Sequence, residues 1–255
     1  MARRTPDGPP PPPVVQRLRV RYAKRGRLRF TSHRDFARAF ERALRRAEIP
    51  MGYSAGFSPH PKISYVGATP TGVASEAEYL EIGLAREVDP AAVRTALDAA
   101  LPDGLDILEV VPVATGSSGS FAERIEAAHW RIELPGVDPD ALHDAVISLL
   151  ATTALSVERL TKDGRRQIDV RQALVSAKVR PEVVLGGRAI LDVVVRQVTP
   201  VVRPDDILAA LRIVADLAPA APAVSVRVAQ GSLDETGAVS DPLTPDRPPV
   251  RTAPK

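Results

Sequence analysis

The sequence predicts an α+β protein made of two tandem ferredoxin-like sandwiches flanked by disordered, Pro-rich termini. Three observations carry this expectation. Segments with strand and helix periodicity follow the order β-α-β-β-α-β between residues 15 and 115. A similar order recurs between residues 125 and 230. Between them lies a 116–124 linker that opens with the flexible run Gly116-Ser117-Ser118-Gly119-Ser120.

The first set begins with Leu18, Val20 and Tyr22 alternating with Arg17, Arg19 and Arg21, a strand with one apolar and one basic face. A turn at Gly26 follows, then Leu28 and Phe30. A helix is expected over 33–48, with Ser32 as N-cap, Asp35 three residues on as a loose capping box, and Pro50 beyond its end. Strands over 62–68 and 77–84 flank the turn Thr69-Pro70-Thr71-Gly72. A helix over 89–101 and a strand over 106–113 complete the set. In the second set, Ala128, Trp130, Ile132 and Leu134 alternate as a strand, and a helix follows over 138–151. Strands are expected at 155–160 and 189–198, then a helix over 204–215 with Pro204 in its first turn and a closing strand at Val224, Val226 and Val228. Residues 161–187 do not fit the repeat and are expected to hold an insertion. Residues 1–14, with prolines at positions 9 to 13, read as a disordered or polyproline leader. Residues 231–255 carry five prolines and few large apolar side chains, and read as a disordered tail.

Composition narrows the chemistry. The chain of 255 residues has no cysteine, which excludes disulfides, thiolate zinc sites, iron–sulfur clusters and a cysteine nucleophile within it. Its four histidines show no metal-ligand spacing and no Gly-rich nucleotide loop is present, so no metal or cofactor is expected in this chain. The N-terminal arginines lack an apolar stretch behind them, so no signal peptide is expected. No apolar run approaches a membrane-spanning length. A cytoplasmic location without membrane contact is the expectation.

Charge is the informative feature. The net charge is only +3, yet between Arg17 and Arg46 twelve basic residues face two acids, a local charge of +10. The remainder of the chain is therefore acidic, and such a dipole is a footprint of polyanion binding. Within the first helix, Phe36, Phe40, Ala43, Leu44 and Ala47 form one stripe. Arg34, Arg38, Arg42, Arg45 and Arg46 lie on the other side. Arg17, Arg19 and Arg21 are expected to line the helix-free face of the sheet, a surface that RNA-binding proteins of this architecture use.

The stretch after that helix, Tyr53-Ser54-Ala55-Gly56-Phe57-Ser58-Pro59-His60-Pro61-Lys62, is the most unusual in the chain. Two prolines stiffen it and Gly56 permits close approach of a ligand. Ser54, Ser58 and Lys62 suit phosphate contacts, and Phe57 suits base stacking. Arg27, Arg29 and Ser32 join the candidate RNA-binding set, as do Lys162, Arg165 and Arg166 of a second basic cluster built on the hairpin signal Asp163-Gly164. His33 and His60 form a candidate acid–base pair for ribonucleolytic transesterification if the loop folds back over the helix start. His129 and His143 read as structural.

These residues resemble a known family. Lys24 to Asp35, Arg42 to Ala47 and Gly56 to Ser64 carry the likeness, with Gly72-Val73, Ser75, Glu78-Tyr79-Leu80 and the stretch Lys162 to Arg171 further on. Together they are similar to the radical-SAM-linked proteins that carry the domain of unknown function DUF2344. The resemblance implies a separate radical-SAM partner, since a chain without cysteine cannot hold that cluster. Three functional readings follow. The first is an accessory protein that binds tRNA or rRNA and acts with a separate radical-SAM RNA-modification enzyme. The second is a metal-independent endoribonuclease using His33 and His60. The third is a protein-interaction adaptor whose basic surface meets an acidic partner.

Overall fold

The computed structural model describes residues 11–114, 116, 119–162, 164–181 and 188–248. The leader through residue 10, Ser117 and Ser118 of the linker, Asp163 of the hairpin turn and the last seven residues of the tail lie outside the described residues. The protein is mixed α+β, with mainly antiparallel strand pairing and five α-helices among the described residues. It divides into two compact units: the residues up to Ala122 together with those from Leu243, and Glu123–Pro242.

The first unit runs β1 (Gln16–Lys24), α1 (His33–Arg46), β2 (Ile63–Val66), β3 (Ala74–Leu84), α2 (Pro90–Ala100) and β4 (Ile107–Pro112). Its strand order is β4-β1-β3-β2, all antiparallel. Val20 sits opposite both Leu80 and Val110, and Ile63 opposite Ile82. The period-2 alternation sends Leu18, Val20, Tyr22, Leu80, Ile82 and Leu84 to one face. There they meet Phe36, Phe40 and Leu44 of α1 and Val93 and Leu97 of α2. Tyr22 stacks on Phe36 with ring centres 4.3 Å apart.

Local chemistry sets the ends of α1. Ser32 Oγ accepts from the Asp35 N–H at 3.2 Å and donates to Asp35 Oδ2 at 2.7 Å. The capping box is thus half-formed, because the carboxylate takes the Ser32 hydroxyl. The helix stops at Arg46, two residues short of the expected end. Glu48 adopts a φ of 53°, and the Ile49 N–H donates to the Leu44 carbonyl, closing a Schellman-type end.

The second unit runs β5 (Ala127–Pro135), α3 (Pro139–Ala151), β6 (Ser156–Thr161), β7 (Gly164–Asp169), α4 (Val170–Ala173), β8 (Leu174–Val179), β9 (Arg188–Arg196), α5 (Pro204–Ala215) and β10 (Val224–Gly231). Its sheet has the order β10-β5-β9-β8, again antiparallel. The strand expected at 155–160 exists as β6, but it pairs with β7 in a separate two-stranded hairpin. The place beside β9 is taken by β8, from the stretch assigned to an insertion. The reason is apolar content. β6 buries only Val157 fully and leaves Leu160 exposed, whereas β8 buries Leu174 and Ala177. Arg159 fastens the hairpin through an ion pair with Asp206 of α5 and a bond to the Val201 carbonyl.

The tail expected to be disordered from residue 231 is structured as far as the description reaches. Leu233 bridges Val239, and Asp234 accepts from the Thr236 hydroxyl and from the N–H groups of Thr236 and Ala238. Those bonds, that of the Thr236 hydroxyl first, hold the Asp234 carboxyl below its ordinary range. From Leu243 the chain belongs to the first unit, where Leu243 is fully buried and Thr244–Asp246 forms a 3₁₀ turn. One large apolar residue and one well-placed carboxylate outweigh a Pro-rich composition here.

Candidate nucleic-acid interface

At 100° per residue, Arg34, Arg38, Arg42 and Arg45 fall within roughly 80° of one another around α1, opposite its buried stripe. All four are exposed, and among the described residues no carboxylate pairs with any of them. Glu41 borders the stripe on the side toward β2 and lines a small cavity with Arg45, Tyr53 and Pro61, yet among the described residues forms no ion pair there. Arg46 departs from the stripe. It donates to the carbonyl of Ala100 at 3.1 Å, satisfying the end of α2. Ser32 is likewise occupied as the N-cap. Arg27 is exposed, and the Arg29 guanidinium lies 4.6 Å from the ring centre of Phe30.

The helix-free face of the first sheet is not the open basic surface expected from β1. Arg19 is only 2% exposed. It donates to Glu81 at 3.1 Å and to Asp246 at 2.5 Å, with its guanidinium 4.5 Å from the ring centre of Phe121. Phe121 also packs edge-on against Tyr79. Arg21 donates to the Glu76 carbonyl. Alternation put these arginines opposite the core face of β1, but it does not reveal that Phe121 and Asp246 cover Arg19. Arg17 alone keeps a mostly exposed side chain, 3.7 Å from Glu81, and lines a groove of about 350 Å³ with Lys62 and Ser64. Arg25 is held by Glu76 and Asp106; its bond to Glu76 raises its already high pKa further.

The loop after α1 is tied at its base. The Ser54 N–H donates to the His60 carbonyl, and Ser54 Oγ accepts from the His60 N–H at 3.0 Å. Ser54 is therefore a clamp within the loop. Above it Gly56, at φ 133°, has open space where a side chain would sit. Phe57 is 71% exposed, and Ser58, His60 and Lys62 are exposed as well.

His33 and His60 are not brought together. The His33 ring meets Tyr65 of β2 edge-on at 4.8 Å, near the start of α1. His60 lies in the loop ahead of β2, where a turn from the Pro61 carbonyl to the Ile63 N–H bends the chain, and among the described residues no hydrogen bond or ring contact joins it to His33. Tyr65 itself gave no signal in the sequence. Its hydroxyl oxygen is buried without a hydrogen-bond partner. Burial first, then the Glu41 carboxylate, push its pKa far above the ordinary phenol range. A free phenol ionises near pH 10. The associated stability is therefore full below that pH and falls as the pH rises toward the folded-state value. Tyr65→Phe is expected to be neutral or stabilising by up to about 1 kcal/mol at pH 7, because it removes an unpaired buried donor. Urea unfolding at pH 7 and above pH 10 checks this, and the variant should lose less stability than wild type at the higher pH.

In the second unit, Lys162, Arg165 and Arg166 are exposed on the β6–β7 hairpin, with Arg165 paired to Glu158 at 2.7 Å. No helix among the described residues is long and apolar enough to cross a membrane. A search of curated proteins finds no match to the chain. A family profile does match, over residues 17–204, which takes in α1, the loop after it and most of the second unit. The chain belongs to the DUF2344 family, described as an uncharacterized protein conserved in bacteria.

Proposed function

We propose that this chain is an RNA-binding accessory protein that holds a tRNA or rRNA for a separate radical-SAM RNA-modification enzyme. The observation that carries the reading is the unpaired arginine stripe of α1. Six arginines elsewhere, Arg19, Arg25, Arg159, Arg180, Arg188 and Arg247, each meet a carboxylate, whereas the four of this stripe lie side by side and meet none among the described residues. Four adjacent cations left without partners are a surface built for an external polyanion, and arginine suits phosphate better than lysine does. The sequence order β-α-β-β-α-β, with the equivalent strand order in each unit, supports reading the two units as tandem ferredoxin-like sandwiches with the β6–β7 hairpin inserted in the second. The partner enzyme is inferred from the family resemblance together with the absence of cysteine, which leaves these 255 residues without thiolate ligands for an iron–sulfur cluster.

The His33 ring packs against Tyr65 and makes no contact with His60 among the described residues, which weighs against the ribonuclease reading. The test is filter binding of purified chain to tRNA and rRNA fragments across a salt series. Log affinity should fall linearly with log salt, with a slope of about −3 or steeper for four phosphate contacts. Salt-independent binding would overturn the reading. Cleavage of the same RNAs in EDTA that is lost in His60→Ala would instead favour the nuclease. A partner complex that survives nuclease treatment, in a chain that binds no RNA, would favour the adaptor.

A further inference from the structure

We propose that the α1 surface takes unpaired rather than duplex RNA, a short single-stranded segment whose bases stack on Phe30 at one end of the helix and Phe57 at the other. The proposal rests on the RNA reading above and specifies its ligand.

The argument starts from where the phenylalanines are. The chain has five. Phe36, Phe40 and Phe121 are buried, as the hydrophobic effect requires of so large an apolar side chain. Phe30 is 57% exposed and Phe57 is 71% exposed. In a protein whose aromatic content is only 4%, two of five phenylalanines are left facing water, and both flank the same helix. Phe30 ends the 3₁₀ turn just before α1, and Phe57 lies in the loop just after it.

Each ring is presented as a platform. Arg29 lies over one face of Phe30, and Gly72 borders the Cδ1–Cε1 edge of the ring. Phe57 follows Gly56, whose positive φ turns the loop outward. The clamp from Ser54 to His60 fixes the base of that loop. Between the two phenylalanines in the chain come Arg34, Arg38 and Arg42 of α1, about 6 Å apart along the helix axis, with Arg45 beside them. Over its 14 residues α1 is about 21 Å long, room for several successive phosphates.

An arginine stripe alone does not distinguish single from double strands, because both present phosphates. The flanking rings do. In a duplex each base face is covered by its neighbours, and a protein ring finds a free face only at an end, whereas unpaired bases stack on exposed aromatic side chains. Stacking is also tolerant of base identity, so broad sequence acceptance is expected within the unpaired segment.

The experiment compares an unstructured oligouridine with an RNA duplex of equal phosphate number, by fluorescence anisotropy at one salt concentration. The oligouridine should bind about 10-fold tighter or more. Phe30→Ala and Phe57→Ala should each lose about 10-fold for oligouridine and leave duplex binding unchanged. Phe57→Trp should retain wild-type affinity. Both rings are exposed, so the variants keep the fold, which circular dichroism verifies. Equal affinity for duplex and oligouridine, or alanine variants that bind oligouridine like wild type, would overturn the proposal while leaving RNA binding intact. Failure to bind either RNA would overturn the RNA reading itself and this proposal with it.

Discussion

Asp246→Ala is expected to destabilise the first unit by about 3 kcal/mol. Arg19 is buried on the helix-free side of β1, and its two carboxylate partners divide the work. Glu81 is a neighbour in the sheet. Asp246 arrives from the far end of the chain, its own side chain fully buried, and its second oxygen accepts the Ala114 N–H at 3.2 Å. Removing Asp246 leaves a buried guanidinium half-neutralised and a backbone donor unsatisfied. Breaking a buried pair from one side typically costs about 3–5 kcal/mol, and the remaining Glu81 contact puts this case near the low end. Replacing both partners, as Arg19→Met with Asp246→Leu, should recover part of the loss, because it removes the buried guanidinium while the Ala114 N–H stays without its acceptor.

The measurement has a built-in separation of the two units. All four tyrosines, Tyr22, Tyr53, Tyr65 and Tyr79, lie in the first unit, and the single tryptophan, Trp130, lies in the second. Urea unfolding followed by tyrosine emission should shift in Asp246→Ala, while the tryptophan transition should move less. A tyrosine transition displaced by under about 1 kcal/mol would mean that the 243–248 segment does not hold Arg19 in solution.

This pair also shows what periodicity can and cannot reveal. The alternation of Leu18, Val20 and Tyr22 is a local pattern, and it correctly gave the core face of β1. The fate of Arg19 depends on a partner 227 residues away, and no local pattern encodes that. The same limit explains β8. Its residues follow a hairpin and a one-turn helix, so the repeat was read with β6 in its place, although β6 has too few apolar side chains to line a core. The charge sorting of α1 was legible because helix geometry alone determines it. The exposure of Phe30, by contrast, has no local signature in the sequence. The 3₁₀ turn at Gly26–Phe30 breaks the strand alternation, leaving Leu28 half-buried and turning Phe30 outward.

Replacing Arg34, Arg38, Arg42 and Arg45 together by Gln should weaken RNA binding about 200-fold at roughly 0.15 M salt. Each phosphate contact to a single strand contributes about 0.7 to the slope of log affinity against log salt. Four contacts therefore contribute about 2.8, and multiplying by the logarithm of the salt concentration gives slightly more than two decades at that ionic strength. The same arithmetic requires the deficit to widen as salt falls, to more than three decades near 0.05 M. Glutamine keeps helix propensity and an unbranched polar side chain, and none of the four arginines supports the core, so stability should change by less than about 0.5 kcal/mol. Arg46→Gln is the internal control. Its guanidinium is committed to the Ala100 carbonyl, so it should leave the salt slope nearly unchanged. A quadruple variant with the wild-type slope would place the RNA contacts elsewhere, with the exposed Lys162, Arg165 and Arg166 of the hairpin as the next residues to neutralise. A slope reduced by about three, with the Arg46 control unchanged, would assign the electrostatic part of binding to this one face of α1.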